Sequence, residues 1–393
     1  MSWKNTSSGL LVKKIRIAFF PPGDSGWLGG VNYFKNLFFA LDKKEASNIE
    51  ILIFLPPGCE ENVVEAYLPY VDECHFVDFV DKKRFSGFLC KAELYFLGQG
   101  KLIEYYLKYF NIDLISHSYL GSLKNILTIG WIPDFQHMHL PGMFSKKEIK
   151  NRNSRYLKLI EGSDAVFLSS YDAKKYFECF SPKNKHKARV LQFVSQPENQ
   201  YFTLDDSDWL ALKYKYDLPS SYFYLPNQFW QHKNHLVAFQ AIKILNDQGF
   251  DIRLVCTGNL SDYRSPAYVQ SLLNYISHNK LESKIKLLGI VPYNDVFSLM
   301  KFSRAVINPS LFEGWSSTVE ECKSVNKRLI LSDIDVHKEQ APGAVFFQRT
   351  SPSSLALAIK GNLNTVEYFD LDKRTDIFAQ SYFDVVSDFF LKK

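Results

Sequence analysis

Short runs of apolar, β-branched and aromatic residues recur along the first half of the chain, at Ile15–Phe20, Ile49–Leu55, His75–Phe79, Asp113–Ser116, Ile126–Trp131 and Ala165–Ser169. Runs this compact read as buried strands. Between several of them the apolar period lengthens. Val31, Phe34, Leu37, Phe38 and Leu41 fall on one helical face, and Leu102–Phe110 repeats the pattern. Strands alternating with amphipathic helices predict a doubly wound parallel sheet of the α/β class. Such sheets bind ligands beyond the carboxyl ends of their strands.

The pattern breaks between Leu191 and Ser221, where a polar, acidic stretch (Glu198–Asp208) marks a domain boundary. A second strand series follows at Tyr222–Leu225, Ile252–Cys256, Ile285–Leu288, Ala305–Ile307, Arg328–Leu331 and Ala344–Phe347. This predicts a second βα sheet. The expected organisation is a first domain over residues 1–200 and a second over 201–374. The tail, 375–393, carries an amphipathic helix (Thr375–Phe390) that packs across both.

Composition narrows the classes. Lys and Arg total 47 against 42 Asp and Glu, a net charge of +5 without any long basic run, which argues against nucleic acid as a partner. Anionic small molecules or an anionic membrane face stay open. Six cysteines without a CxxC pair suggest neither a zinc site nor a disulfide framework. The polar start, Met1–Ser8, and the lack of any apolar stretch of about 18 residues place the protein in the cytoplasm. Trp27, Lys13 and Lys14 would suit peripheral contact with the inner face of the membrane.

The chemistry concentrates in Asn308–Glu321. A strand ends at Asn308-Pro309-Ser310, Glu313 and Gly314 form a turn, and Ser316, Ser317 and Thr318 open a helix. Hydroxyl residues suit a helix start, where unpaired N–H groups attract an anion such as phosphate. Glu313 and Glu321 flank that position and can accept hydrogen bonds from sugar hydroxyls. A capped surface helix with a solvated glutamate accounts for the same residues. Lys233, in Pro226-Asn227-Gln228-Phe229-Trp230-Gln231-His232-Lys233-Asn234-His235, stands where strand passes to helix and can direct its ammonium at a diphosphate. A plain surface lysine is the alternative.

Three further loops are candidates. Pro21–Gly30 is glycine-rich between a strand and a helix, so Gly29 and Gly30 can bring backbone N–H groups close to a ligand, although a plain mobile loop fits too. Its spacing is neither GxGxxG nor GxxxxGK[ST]. Ile132–Gly142 holds Asp134, His137 and His139. A third metal ligand is missing there, so His137 reads as a hydrogen-bond partner of a sugar or as orienting an attacking hydroxyl, or else as a packed loop histidine. Gly289–Tyr293, with Val291, can line a nucleobase pocket. Asp333-Ile334-Asp335 resembles a metal-binding DxD signature but is explained more simply as a capped turn.

Taken together, Glu313 and Glu321 in an EX7E arrangement within Pro-Ser-Leu-Phe-Glu-Gly, with the Trp-Gln-His-Lys-Asn-His block, resemble the retaining GT-B glycosyltransferases. The likeness is to the family 4 type that builds bacterial cell-surface polysaccharides. The resemblance spans nearly the whole chain. It implies two Rossmann-like domains facing a cleft, a nucleotide-sugar donor on the carboxy-terminal one, and a glycan or lipid-linked oligosaccharide acceptor on the other. No metal and no cofactor are implied. Under it, Glu313 contacts the donor sugar, Glu321 the ribose, and Lys233 the diphosphate, helped by Gly314, Ser316, Ser317 and Thr318. Gly29, Gly30 and Asp134 lie on the acceptor side, and His137 serves the donor sugar or the acceptor. Asn227 occupies the position where many such enzymes carry arginine, and Arg264 is a candidate substitute. A sugar-nucleotide epimerase or phosphorylase on the same fold, or a non-catalytic sugar-nucleotide-binding subunit, is the alternative.

Overall fold

The computed structural model describes residues 3–5, 11–44, 48–81, 83–197, 200–262, 264–361 and 368–390. Of the positions singled out above, Met1, Ser2, residues 6–8, Glu198 and the side chain of Lys13 lie outside that description. The chain divides into two compact units. The first comprises residues 1–135, 145–194 and 372–393, and the second residues 136–144 and 195–371.

The first unit is built on seven parallel strands, Ile15–Phe19 (β1), Ile49–Leu55 (β2), Glu73–Phe76 (β3), Leu114–Ser116 (β4), Leu127–Ile132 (β5), Ala165–Leu168 (β6) and Ala188–Val190 (β7). Their order is β3-β2-β1-β4-β5-β6-β7, so the winding reverses between β1 and β4. β2 is buried along its whole length, Glu50 included. A carboxylate there needs a partner. Arg16 on β1 supplies one, and extends to Glu73 on β3 (2.8 Å) and to the carbonyl of Phe110 (2.9 Å), lacing three neighbouring strands together. The edge strand β7 was not among the expected runs. It has three residues and only Ala188 is buried, which leaves no apolar signal to read.

Helix α1 (Leu28–Lys43) follows β1 and buries Val31, Phe34, Leu37, Phe38 and Leu41, the residues of the expected face. The last helix of the chain, Leu371–Phe390, packs within this unit. Its Tyr382 lies against Phe19 and Phe167, with ring centroids 6.2 and 5.5 Å apart, and Lys43 and Lys44 pair with Asp372 and Asp376.

The second unit repeats the plan with six parallel strands, Phe223–Pro226 (β8), Leu254–Thr257 (β9), Ile285–Leu287 (β10), Val306–Asn308 (β11), Leu329–Ser332 (β12) and Val345–Phe347 (β13). The order is β10-β9-β8-β11-β12-β13, with the reversal between β8 and β11. Alternate residues of β8 serve opposite faces. Phe223 and Leu225 join one core with helix α2 (His235–Asp247), while Tyr224, with Tyr222 just before the strand, joins the other. A sheet buried on both sides is why the sequence shows unbroken apolar runs rather than alternation. Among the described residues no helix is long and apolar enough to cross a membrane.

Candidate functional site

In an open α/β sheet the crevice for ligands lies outside the carboxyl ends of the strands where the winding reverses. In the second unit that point is framed by the loops after β8 and β11, which carry the Lys233 block and the Asn308–Glu321 stretch. Side chains from both loops are knitted together. Asn227, just past β8, donates from Nδ2 to Asn308 Oδ1 (3.3 Å) and accepts from Thr318 Oγ1 (3.4 Å). Asn234 has φ +56°, a left-handed conformation that asparagine tolerates, and its Nδ2 donates to the carbonyls of Pro309 (3.1 Å) and Arg349 (2.9 Å). The carbonyl of His232 accepts from Leu311 N–H (2.7 Å). These bonds fix where Lys233 can reach.

Its ammonium meets Glu313 Oε1 at 2.6 Å, with the two side chains only 14% and 9% exposed. Ser310 Oγ lies 2.6 Å from the same oxygen. Burial alone would raise the Glu313 carboxyl, but the facing charge of Lys233 and lesser contributions from His232, His337 and the Lys233 hydrogen bond together outweigh it and hold the group below its ordinary value. Burial pushes the neighbouring imidazoles of His232 and His235 down to about 3 and that of His337 to about 4, so they are neutral near pH 7.

Helix α3 (Ser317–Ser324) begins here with Ser316 as its cap, accepting from Val319 N–H. Asn308 Nδ2 donates to the same hydroxyl (2.9 Å). Gln340 holds the preceding turn from both sides. Its Oε1 accepts from Ser316 N–H (3.1 Å), and its Nε2 donates to Ser316 O and to Glu320 Oε1 (both 2.9 Å). Lys323 completes the cluster on Glu320 at 3.0 Å. Sequence reading missed Gln340 and Glu320, because nothing in a single chain links a residue of this helix to one twenty positions later. Glu321, on the next position of α3, accepts from the Tyr293 hydroxyl (3.1 Å). Burial raises its carboxyl to about 7, against the opposing pull of Tyr293 and Lys233. One glutamate is thus held anionic and the other close to its titration midpoint, two environments suited to two different tasks.

The remaining candidates divide between the units. Gly314 and Val291 are half-buried and Ser317 is exposed, all in the second unit. His137 is buried and belongs to the segment 136–144, which joins the second unit, with its ring edge-on to Phe144. In the same segment Gln136 Oε1 accepts from Arg264 (3.0 Å), and His139 packs on Phe312. Arg264 lies over the rings of Trp230 and Phe144. Asp134, Gly29 and Gly30 lie in the first unit. Asp134 lends its carbonyl to the Tyr156 hydroxyl (3.1 Å). A side chain at position 30 would strike the Trp27 indole at 2.3 Å, so glycine there seats a tryptophan. Asp333 accepts from Arg349 N–H (3.1 Å) and Asp335 begins a short helix. Among the described residues no group of three or more His, Cys, Asp or Glu side chains is placed to hold a metal.

Residues 216–367 match the family model for glycosyl transferases group 1. The matched region lies wholly within the second unit and contains every bond described around Lys233 and α3. A curated relative, the O-antigen chain mannosyltransferase RfbU of Salmonella typhimurium, is 27% identical over 161 residues, 41% of this chain and 42% of that protein. The matched stretch therefore spans less than half of the relative. Among solved structures, a glycosyltransferase from Rickettsia africae aligns over 95% of this chain and 94% of its own, with TM-score 0.65 and 18% identity. Anabaena HepE, solved in complex with UDP and glucose, covers 95% of both chains with TM-score 0.63 and 14% identity. At that identity the likeness is one of fold, two Rossmann-like doubly wound units of the GT-B class.

One position in the matched region tests how tightly this frame is built. Gly258, at the end of β9, has φ +133°, and a Cβ there would lie 2.2 Å from the carbonyl oxygen of Asn227. Gly258→Ala is expected to cost about 2–4 kcal/mol and to displace the Asn227 loop. Thermal melts check the cost, and a variant melting with the parent would show that the loop yields freely.

Proposed function

We propose that the chain is a glycosyltransferase that moves a sugar from a nucleotide-sugar donor to a glycan or lipid-linked acceptor in cell-surface polysaccharide synthesis, with retention at the anomeric carbon and without metal or cofactor. The observation that carries this reading is the buried Lys233–Glu313 pair at the winding reversal of the second sheet, beside the capped start of α3.

The chemistry follows from charge. Breaking the bond between the anomeric carbon and the diphosphate oxygen sends the electron pair to the departing phosphate and leaves positive character on the sugar. A fixed ammonium and helix N–H groups stabilise the anion where it develops. Lys233 serves the diphosphate, and Glu313, kept ionised, accepts from sugar hydroxyls. Glu321 engages the ribose. The acceptor hydroxyl attacks the face the diphosphate leaves, and its proton passes to the departing phosphate oxygen, so no protein carboxylate is needed as nucleophile. Glu313 is a binding group in this scheme.

A thermal-shift screen against nucleoside diphosphates and their sugars tests the donor assignment. Binding at 100 times Kd should stabilise the protein by about 2.7 kcal/mol, and a panel without a single shift would overturn the reading. Transfer should continue in EDTA. A strict divalent requirement would return attention to Asp333 and Asp335.

A further inference from the structure

The first sheet has a winding reversal of its own, between β1 and β4, paired at Phe19 and Ser116. Around it stand aromatic rings, on the turn and helix that follow β1 and on β5 next to β4, that the donor chemistry leaves unused. Trp131, on β5, is stacked on Tyr33 of α1, with centroids 4.3 Å apart and planes 14° from parallel. Trp27 stacks on Trp131 at 5.9 Å and 22°. Three rings thus form one column.

The column is anchored at its inner end. The Tyr33 hydroxyl shares a hydrogen bond with His117 Nε2 (2.7 Å), and Ser116 Oγ shares one with His117 Nδ1 (2.8 Å). His117 is buried and adopts φ +61°, an uncommon conformation for a residue with a side chain, and such strain gathers at functional sites. At the outer end Trp27 is 49% exposed, yet its indole lies so closely over α1 that only glycine fits at position 30. Beside it in the chain, Asp24 caps the turn through Gly26 N–H, and Ser25 bonds Glu60 (3.1 Å).

A large indole is here held flat, half open to water, at the ligand end of a doubly wound sheet, with the Asp24 carboxylate and Ser25 hydroxyl in the adjoining turn and the Glu60 carboxylate bonded to Ser25. Core packing requires no such exposure of a tryptophan. The ring's negative face attracts the polarised C–H patch of a pyranose, while nearby oxygens accept from its hydroxyls. We propose that the Trp27–Trp131–Tyr33 column is a platform on which a sugar ring of the acceptor stacks. The assignment of that sugar as the acceptor rests on the glycosyl-transfer reading above.

The test uses the full chain with methyl glycosides of mannose, galactose, glucose and N-acetylglucosamine, followed by saturation-transfer NMR and tryptophan fluorescence. At least one glycoside should bind with saturation strongest on its ring C–H protons. Trp27→Ala should weaken that binding by about tenfold or more, Trp27→Phe should retain part of it, and Gly30→Ala should weaken it with the tryptophan still present. Nucleoside diphosphate shifts should persist in all three variants, so their absence from the parent protein would refute the transfer reading separately. Glycoside binding indifferent to Trp27, or no glycoside binding at all, would overturn the platform. So would Trp27-dependent binding to phosphatidylglycerol vesicles with glycoside affinity unchanged.

Discussion

Lys233→Ala is expected to lower kcat/KM for sugar transfer by about 10²–10³-fold, the usual scale for removing one preorganised group that meets developing negative charge. The same substitution reaches the fold. Glu313 would be left as a buried carboxylate facing no cation, and breaking a buried pair in this way costs about 3–5 kcal/mol. In the parent the Glu313 carboxyl sits below its unfolded value, so its contribution to stability is present above the unfolded pKa and is lost as pH falls through the folded one. Without Lys233 that acid-side loss should vanish, because burial alone raises the group. Adding Glu313→Gln to Lys233→Ala should restore much of the stability while transfer stays low. Melting curves from pH 3 to 8, with assays of nucleoside diphosphate release, read both effects, and parent-like kcat/KM in Lys233→Ala would remove the lysine from the mechanism.

Glu321→Gln should flatten the pH dependence of stability on the neutral side. Here the sign is opposite. Burial raises the folded carboxyl from 4.5 to about 7, so the folded state holds a proton that the unfolded state has released between those values. Stability from this group is complete below pH 4.5 and is lost as pH rises through 7, a change of about 3 kcal/mol at 1.36 kcal/mol per pKa unit. Glutamine carries no such titration, so the variant should gain on the parent as pH increases from 5 to 8. Nucleotide affinity should fall in the variant if the carboxylate holds the ribose. Parallel stability curves for the two proteins would show that Glu321 does not titrate in this window.

Much of this was legible in the chain because two doubly wound sheets leave a strong trace. Strands buried on both faces, such as Ile49–Leu55, write unbroken apolar runs, and the helices between them keep a clear period. The cap at Ser316 and the placement of Lys233 at a strand-to-helix turn were legible for the same reason, since each is a local pattern. Partnership was not. That Lys233 and Glu313 neutralise each other across 80 residues, or that Gln340 holds the turn before α3, depends on strand order, which one sequence does not display. His117 escaped notice although it directly follows a strand, because its chemistry depends on Tyr33 being 84 residues away in sequence and 2.7 Å away in space. Gly30 shows a subtler limit. A glycine beside a βα turn suggests backbone approaching a ligand, whereas the close neighbour is an indole.

The chain visits the second unit twice, first for residues 136–144 and then for residues 195–371. A fragment started at the later point would lack Gln136 and Phe144 beside Arg264, and His139 beside Phe312. The halves of this protein are therefore not independent cassettes. Any chimera that borrows its carboxy-terminal half from a relative has to import a matching short stretch from the amino-terminal half as well.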